Sequence, residues 1–343
     1  MEPKSEANII RNFKMVELIN TYNLGKKMLP NSICLTPDGL VGCGAKNKIF
    51  RLDPLGGIEI LFGSDGFGRK KFRQPVVVTF FNGLLFVLDW HNHRIVIYES
   101  CKKYVGEIGK LRVYGSSPIR TRLLRIKNIM ASHKYNLNHF SLPLRIDRQP
   151  DNYFKKINRI FYYFLGRKAL CKYAPFHKPN GIAISKNQMV VTQKDRRSIQ
   201  FYSITNTDGR PRFSLKREIN EIYNKRLGRL GNCVQKSQRV FICDETSHSV
   251  LIFSLNGHFI DKVELQKNVP VFCCCVLSSE HLLVGGESAI NLVNLKTRKT
   301  TLIISDFGEI HSMIYDNDSQ KIFVADRLDG TIREYKISFS KFD

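Results

Sequence analysis

A β-rich run, a short polar turn and a second β-rich run recur six times along this chain. The copies read "LVGCGAKNKIFRLDP" from Leu40, "LFVLDWHNHRIVIYE" from Leu85, "QMVVTQKDRRSIQFYSI" from Gln188, "RVFICDETSHSVLIFSLNG" from Arg239, "HLLVGGESAINLVNLKTR" from His281 and "KIFVADRLDGTIREYKI" from Lys321. The first run ends in turn at Gly44, Asp89, Gln193, Asp244, Gly286 and Asp326, so the spacings are 45, 104, 51, 42 and 40 residues. One gap therefore carries roughly 60 residues more than the period requires.

Further strands flank these hairpins. A Pro- or Gly-introduced strand precedes several of them, as in "LPNSICLTPDG", "QPVVVTFFNG", "KPNGIAISKNQ" and "VPVFCCCVLSS", and another follows, as in "KYVGEIG" and "HFIDKVEL". Four antiparallel strands every ~40 to 50 residues specify a β-propeller blade. The expected fold is all-β: one six-bladed propeller spanning 1–343, with residues 110–174 inserted between blades two and three. The sixth copy reaches the C-terminus without a fourth strand, and "FKMVELINTY", residues 13–22, is a strand with no blade of its own. Pairing the two termini in the last blade removes the open edges that an unclosed ring would leave.

Charge points to the partner. Lys and Arg number 54 against 30 Asp and Glu, for a formal charge of +24 and a pI near 9.7. Such an excess favours a polyanion, either nucleic acid or an anionic membrane surface. Residues 110–174 hold 15 Lys and Arg but only Asp147 and Asp151, and "NYFKKINRIFYYFLGRKALCKY" spaces Phe154, Ile157, Phe161, Phe164 and Leu165 as an amphipathic helix. An earlier run after Pro118 also reads as helical. The nine cysteines show no C-x-x-C pair. In the triplet Cys273-Cys274-Cys275, adjacent side chains on a strand point to opposite faces, so the expectation is buried thiols in a reducing compartment. No apolar run approaches the ~18 residues of a membrane span. "MEPKSEANII" lacks a signal-peptide core. The expected location is intracellular (cytoplasm, nucleus or an organelle matrix) rather than secreted, and the expected state a monomer.

The second copy, "FVLDWHNHRIVIYE", resembles the NHL repeat, with its apolar pair, Asp and Asn-His-Arg-Ile run, and "PNGIAIS" is similar to the first strand of that repeat. Copies four and six match in part, and copies one and five retain only spacing and apolar pattern. The resemblance implies a six-bladed propeller. In tripartite-motif relatives, a basic propeller face binds RNA, although this sequence has none of their RING, B-box or coiled-coil segments. In such blades Asp89, Asn92 and His93 shape the turn between the second and third strands, since Asp and Asn side chains bond nearby amides and tolerate turn geometry. Trp90, His91 and Arg94 are left as functional candidates.

Strand direction alternates within a blade, so inter-blade links and the turns between second and third strands share one face of the ring. That face collects Lys26, Lys27, Arg69, Lys70, Lys71, Arg73, Lys225, Arg226 and Arg229 from the links, with His91, Arg94, Lys194, Arg196 and Arg197 from the turns. Lys155, Lys156 and Arg159 of the insertion extend the set, and Phe67, Phe72, Trp90 and Tyr223 interleave with it, a combination suited to single-stranded RNA. The expected function is non-enzymatic: an RNA-binding scaffold, alone or as a ribonucleoprotein subunit, without catalytic residues, metal or cofactor. The alternatives are a protein-interaction scaffold, or attachment to anionic membrane through 152–173. A metal-dependent propeller hydrolase or lyase ranks last, because Asp89, Asp244 and Asp326 occupy a repeated turn position and no nucleophile motif is present.

Overall fold

The computed structural model describes residues 13–25, 28–53, 55–66, 68–109, 176–185, 187–207, 210–265 and 270–339. The chain divides into two units, Met1–Gly109 with Phe176–Asp343, and Lys110–Pro175. The second unit, with the helices expected after Pro118 and over 152–173, lies outside the described residues, as do Lys26, Lys27, Phe67, Lys155, Lys156 and Arg159.

The first unit is an all-β six-bladed propeller. Its six four-stranded antiparallel sheets span 30–62, 75–108, 179–219, 230–264 and 273–304, with the sixth built from 310–339 and the N-terminal strand Phe13–Asn23. In the sixth sheet Phe13–Asn23 lies outermost and pairs antiparallel with Thr331–Phe339, joining the two ends of the unit in one blade. Among the described residues no helix exceeds a three-residue 3₁₀ turn, at Ala45–Asn47 and Trp90–Asn92.

Each blade is covered on both faces, and this explains the near-continuous apolar second strands. In Leu84–Asp89, five consecutive residues are buried. Their side chains alternate between neighbours: Leu85 and Val87 pack toward blade one, with Cys43 and Ile49, whereas Phe86 and Leu88 pack toward blade three, with Met189 and Val191. Six apolar clusters result, one between each adjacent pair of blades, including one that joins Ala325 and Ile332 of blade six to Ile33 and Phe50 of blade one. The cysteine triplet follows the same alternation. Cys273 and Cys275 face blade six, Cys274 faces blade four, and burial pushes the thiols of Cys273 and Cys275 upward.

Candidate nucleic-acid interface

The turn between second and third strands is tied to the link that precedes its blade. Backbone N–H groups of Ala45, Trp90, Lys194, Glu245 and Arg327 donate to carbonyls of Leu29, Gln74, Lys178, Arg229 and Glu309 at 2.8 to 3.4 Å. In five blades, then, links and inner turns lie on one face. The turns also share a left-handed residue just before the third strand: Asn47 (φ 61°), His93 (φ 54°), Arg197 (φ 55°), His248 (φ 47°) and Gly330 (φ 67°).

The residue ending the second strand fastens the same link. The Asp89 carboxylate accepts the N–H of Arg73 at 2.7 Å, the Gln193 amide oxygen accepts that of His177 at 2.5 Å, and Asp326 accepts those of Gly308 and Glu309 at 2.8 and 3.1 Å. Blades one and five carry glycine there, because backbone fills the space: a Cβ on Gly44 would stand 2.6 Å from the Leu29 carbonyl oxygen, and one on Gly286 2.0 Å from that of Pro270. The three repeated aspartates accordingly serve local turns and links. Asp244 accepts the N–H groups of Thr246 and Ser247, at 3.0 and 3.2 Å, within its own turn.

Blade two elaborates this plan beneath the densest basic loop, 66–73. The Arg94 guanidinium, 2% exposed, bonds Asp89 at 2.9 Å, Glu107 at 2.6 Å, and the carbonyls of Gly68 and Lys71 at 3.1 and 2.7 Å. Asn92 donates to Asp89 at 2.6 Å and to the Gly66 carbonyl at 2.8 Å, and the Tyr98 hydroxyl donates to that of Arg69. Within the loop, Phe72 N–H donates to Ser64 (2.8 Å) and Gly66 N–H to Phe72 (3.1 Å), while the Phe72 ring packs against Phe62, 6.1 Å between centroids. Burial pushes the Asp89 carboxyl up from its ordinary range, against the pull of Arg94 and the N–H donors.

This geometry corrects two sequence-based expectations. Arg94 does not present its charge to a partner, because the guanidinium is the buried tie that holds the basic loop. Phe72 is not a stacking surface, since it is fully buried as the plug of that loop. The side chains that the tie leaves outward are Arg69, Lys70 and Lys71. The Arg69 guanidinium lies over the Tyr104 ring at 5.1 Å. Neither Lys70 nor Lys71 has an ion-pair partner among the described residues. Arg73 is half-exposed, 3.8 Å from Asp65.

The neighbouring candidates are more compensated. Trp90 is half-buried, its ring 4.5 Å from that of His91 and 4.7 Å from the Lys178 ammonium, so it belongs to a packed cluster rather than standing open. His93 accepts the Lys178 N–H at 3.1 Å and stacks on His177, with centroids 5.3 Å apart. Burial first, and then His177, push the His93 imidazole down to about 4. Lys194 pairs with Glu245 at 2.8 Å, Arg229 lies 3.7 Å from the same carboxylate, and Lys178 pairs with Asp195 at 2.5 Å. Arg196 and Arg197 are half-buried on that turn. Sequence reading missed Lys178, His177, Tyr98 and Glu107, and for all four the only signal was a spatial neighbour on another strand or link.

Lys225 and Arg226 stand elsewhere. They belong to a small hairpin, Glu221–Ile222 against Lys225–Arg226, whose Tyr223 ring meets Phe259 edge-on at 5.6 Å. Phe259 opens the outermost strand of blade four, so these two cations sit at the rim of the ring.

No protein-family model matches this sequence, and no curated protein matches it. The fold resembles solved propellers. A streptogramin B lyase structure aligns with a TM-score of 0.53 at 13% identity, covering 95% of this chain and 98% of that one. Virginiamycin B lyase from Staphylococcus aureus aligns with 0.57 at 12%, covering 94% and 99%. The WD40 β-propeller domain of Doa1 aligns with 0.53 at 9%, covering 94% and 97%. At these identities the likeness concerns the fold alone.

Proposed function

We propose that this propeller is a non-enzymatic scaffold that binds single-stranded RNA through a basic arc over blades two to four, alone or as a ribonucleoprotein subunit. The observation that carries the reading is the blade-two loop: Arg69, Lys70 and Lys71 point outward from a backbone fixed by Arg94, Asn92 and Tyr98. Cations on an ordered loop lose less entropy on meeting phosphates than cations on a slack one. Arg73, Arg196, Arg197 and Arg229 extend the arc, and Lys225 and Arg226 continue it at the rim. The NHL-like motif of blade two supports the same reading. It supplies the tie, through Asp89, Asn92 and Arg94, rather than the contacts. The use of Asp89, Asp244 and Asp326 as turn and link acceptors supports a binding role over a catalytic one. Location inside the cell is part of this proposal.

The test is fluorescence anisotropy of a labelled oligouridylate titrated with the protein across a salt series. Affinity is expected to fall steeply with salt, and the R69A/K70A/K71A variant to lower the log–log slope by about 2, near 0.7 per lost phosphate contact. Unchanged affinity and slope in that variant refute the arc. Flotation with anionic liposomes, without oligonucleotide binding, would assign the charge to a membrane instead.

A further inference from the structure

Tyr223 is out of place by two ordinary criteria. The residue is 83% exposed, and its backbone sits at φ 49°, followed by Asn224 at φ 62°. Two consecutive left-handed residues form the tight hairpin turn that Asn-Gly or Asp-Gly fills most easily, and a bulky ring there is strained. Among the described residues, eighteen non-glycine positions have positive φ, and Tyr223 is the one Phe, Tyr or Trp of that set. Strain that burial does not offset directs attention to function.

The hairpin beneath it is firmly seated. Ile222 packs on the cluster between blades three and four, Leu227 is 4% exposed within that cluster, and the Leu227 N–H closes the base by donating to Asn220 at 3.0 Å. Tyr223 contacts Phe259 edge-on at 5.6 Å. Lys225 and Arg226, on the returning strand, are exposed and have no ion-pair partner among the described residues. An exposed ring on an anchored turn, beside the exposed cations Lys225 and Arg226, the latter across the ladder from Glu221, combines a stacking surface with phosphate contacts.

We propose that Tyr223 is a base-stacking platform for single-stranded nucleic acid, with Lys225 and Arg226 holding the adjoining phosphates. The proposal rests on the polyanion reading above and adds a second contact point, at the outer rim between blades three and four. It commits to bases: a phosphate surface alone would gain nothing from the ring.

Anisotropy with labelled oligouridylate tests it in four proteins, the parent, two Tyr223 variants and R69A/K70A/K71A. Tyr223→Asn suits the left-handed turn and is expected to keep or raise the melting temperature while weakening binding about five- to a hundred-fold, the range of one lost base stack. Tyr223→Phe keeps the ring and is expected to bind within about twofold of the parent. Binding by Tyr223→Asn equal to the parent, while R69A/K70A/K71A loses affinity, overturns the platform and leaves the basic arc standing. Equal losses in the Asn and Phe variants assign the effect to the hydroxyl and overturn stacking. If the parent does not bind even at low salt, both readings fall.

Discussion

Replacing Arg94 by leucine removes a guanidinium that joins four acceptors among the described residues. The side chain is 2% exposed and Asp89 is 0% exposed, so neither group can turn to solvent once its partner is gone. Glu107, with its side chain 13% exposed, would recover part of its hydration. The carbonyls of Gly68 and Lys71 would each lose a charged donor, at 3.1 and 2.7 Å in the parent. Breaking a buried pair by deleting one partner costs about 3 to 5 kcal/mol, because the survivor is an uncompensated buried charge. With two loop acceptors also orphaned, Arg94→Leu is expected near 4 kcal/mol, a large part of a domain's usual ~5 to 15. Urea unfolding followed by tryptophan fluorescence measures this, and Trp90 lies on the affected turn. The sign with pH is fixed. Burial already holds the Asp89 carboxyl above its ordinary range in the parent, and losing Arg94 removes the strongest influence lowering it, so the deficit relative to the parent grows as pH rises past the parent's own raised folded value and shrinks toward acid. Adding Asp89→Asn removes the stranded charge, and at least about 1 kcal/mol should return. On the RNA-binding proposal, oligouridylate affinity should fall in Arg94→Leu although no exposed charge has changed, because the loop carrying Lys70 and Lys71 loses its ties. A cost under about 1 kcal/mol, or a deficit independent of pH, would show that Arg94 is not the keystone described here.

Two further outcomes follow from the same geometry. Gly286→Ala drives a methyl to 2.0 Å from the Pro270 carbonyl oxygen, whereas a Cβ on Gly106 meets nothing within 4 Å. Thermal melts should show the first variant losing at least about 2 kcal/mol and Gly106→Ala near neutral, and equal effects would discredit the close approach. His93, held down at about 4 by burial and then by the charge of the neighbouring His177, takes up its proton in the unfolded chain first. Stability is therefore fully present above an ordinary histidine pKa of about 6.5 and drains as pH falls from there toward 4, with His177, also lowered, acting in the same sense. Asn at position 93 tolerates the left-handed backbone and should flatten that part of the stability–pH profile; an unaltered slope would count against the assignment.

The repeat made much of the fold legible. Spacings between residues such as Asp89, Asp244 and Asp326 reflect a local pattern, and strand period then dictates which faces Leu85 and Phe86, or Cys273 and Cys274, must cover. The site was legible only by halves. That Arg69, Lys70 and Lys71 are exposed cations follows from their loop sequence. Arg94 reads identically as a cation, yet it is buried, because Asp89, Glu107 and the loop carbonyls converge on it from a turn, an outer strand and a link. Phe72 and Tyr223 are alike as aromatic residues among bases, but one plugs a loop against Phe62 and the other stands out from a turn against Phe259. Lys225 and Arg226 belong to a link, and only the fold of that link moves them to the rim. By itself the sequence determined the ring, the period and the charge, since these are properties of near neighbours along the chain. Which charges face outward was decided by the tertiary structure, because burial and pairing depend on residues brought together from distant strands.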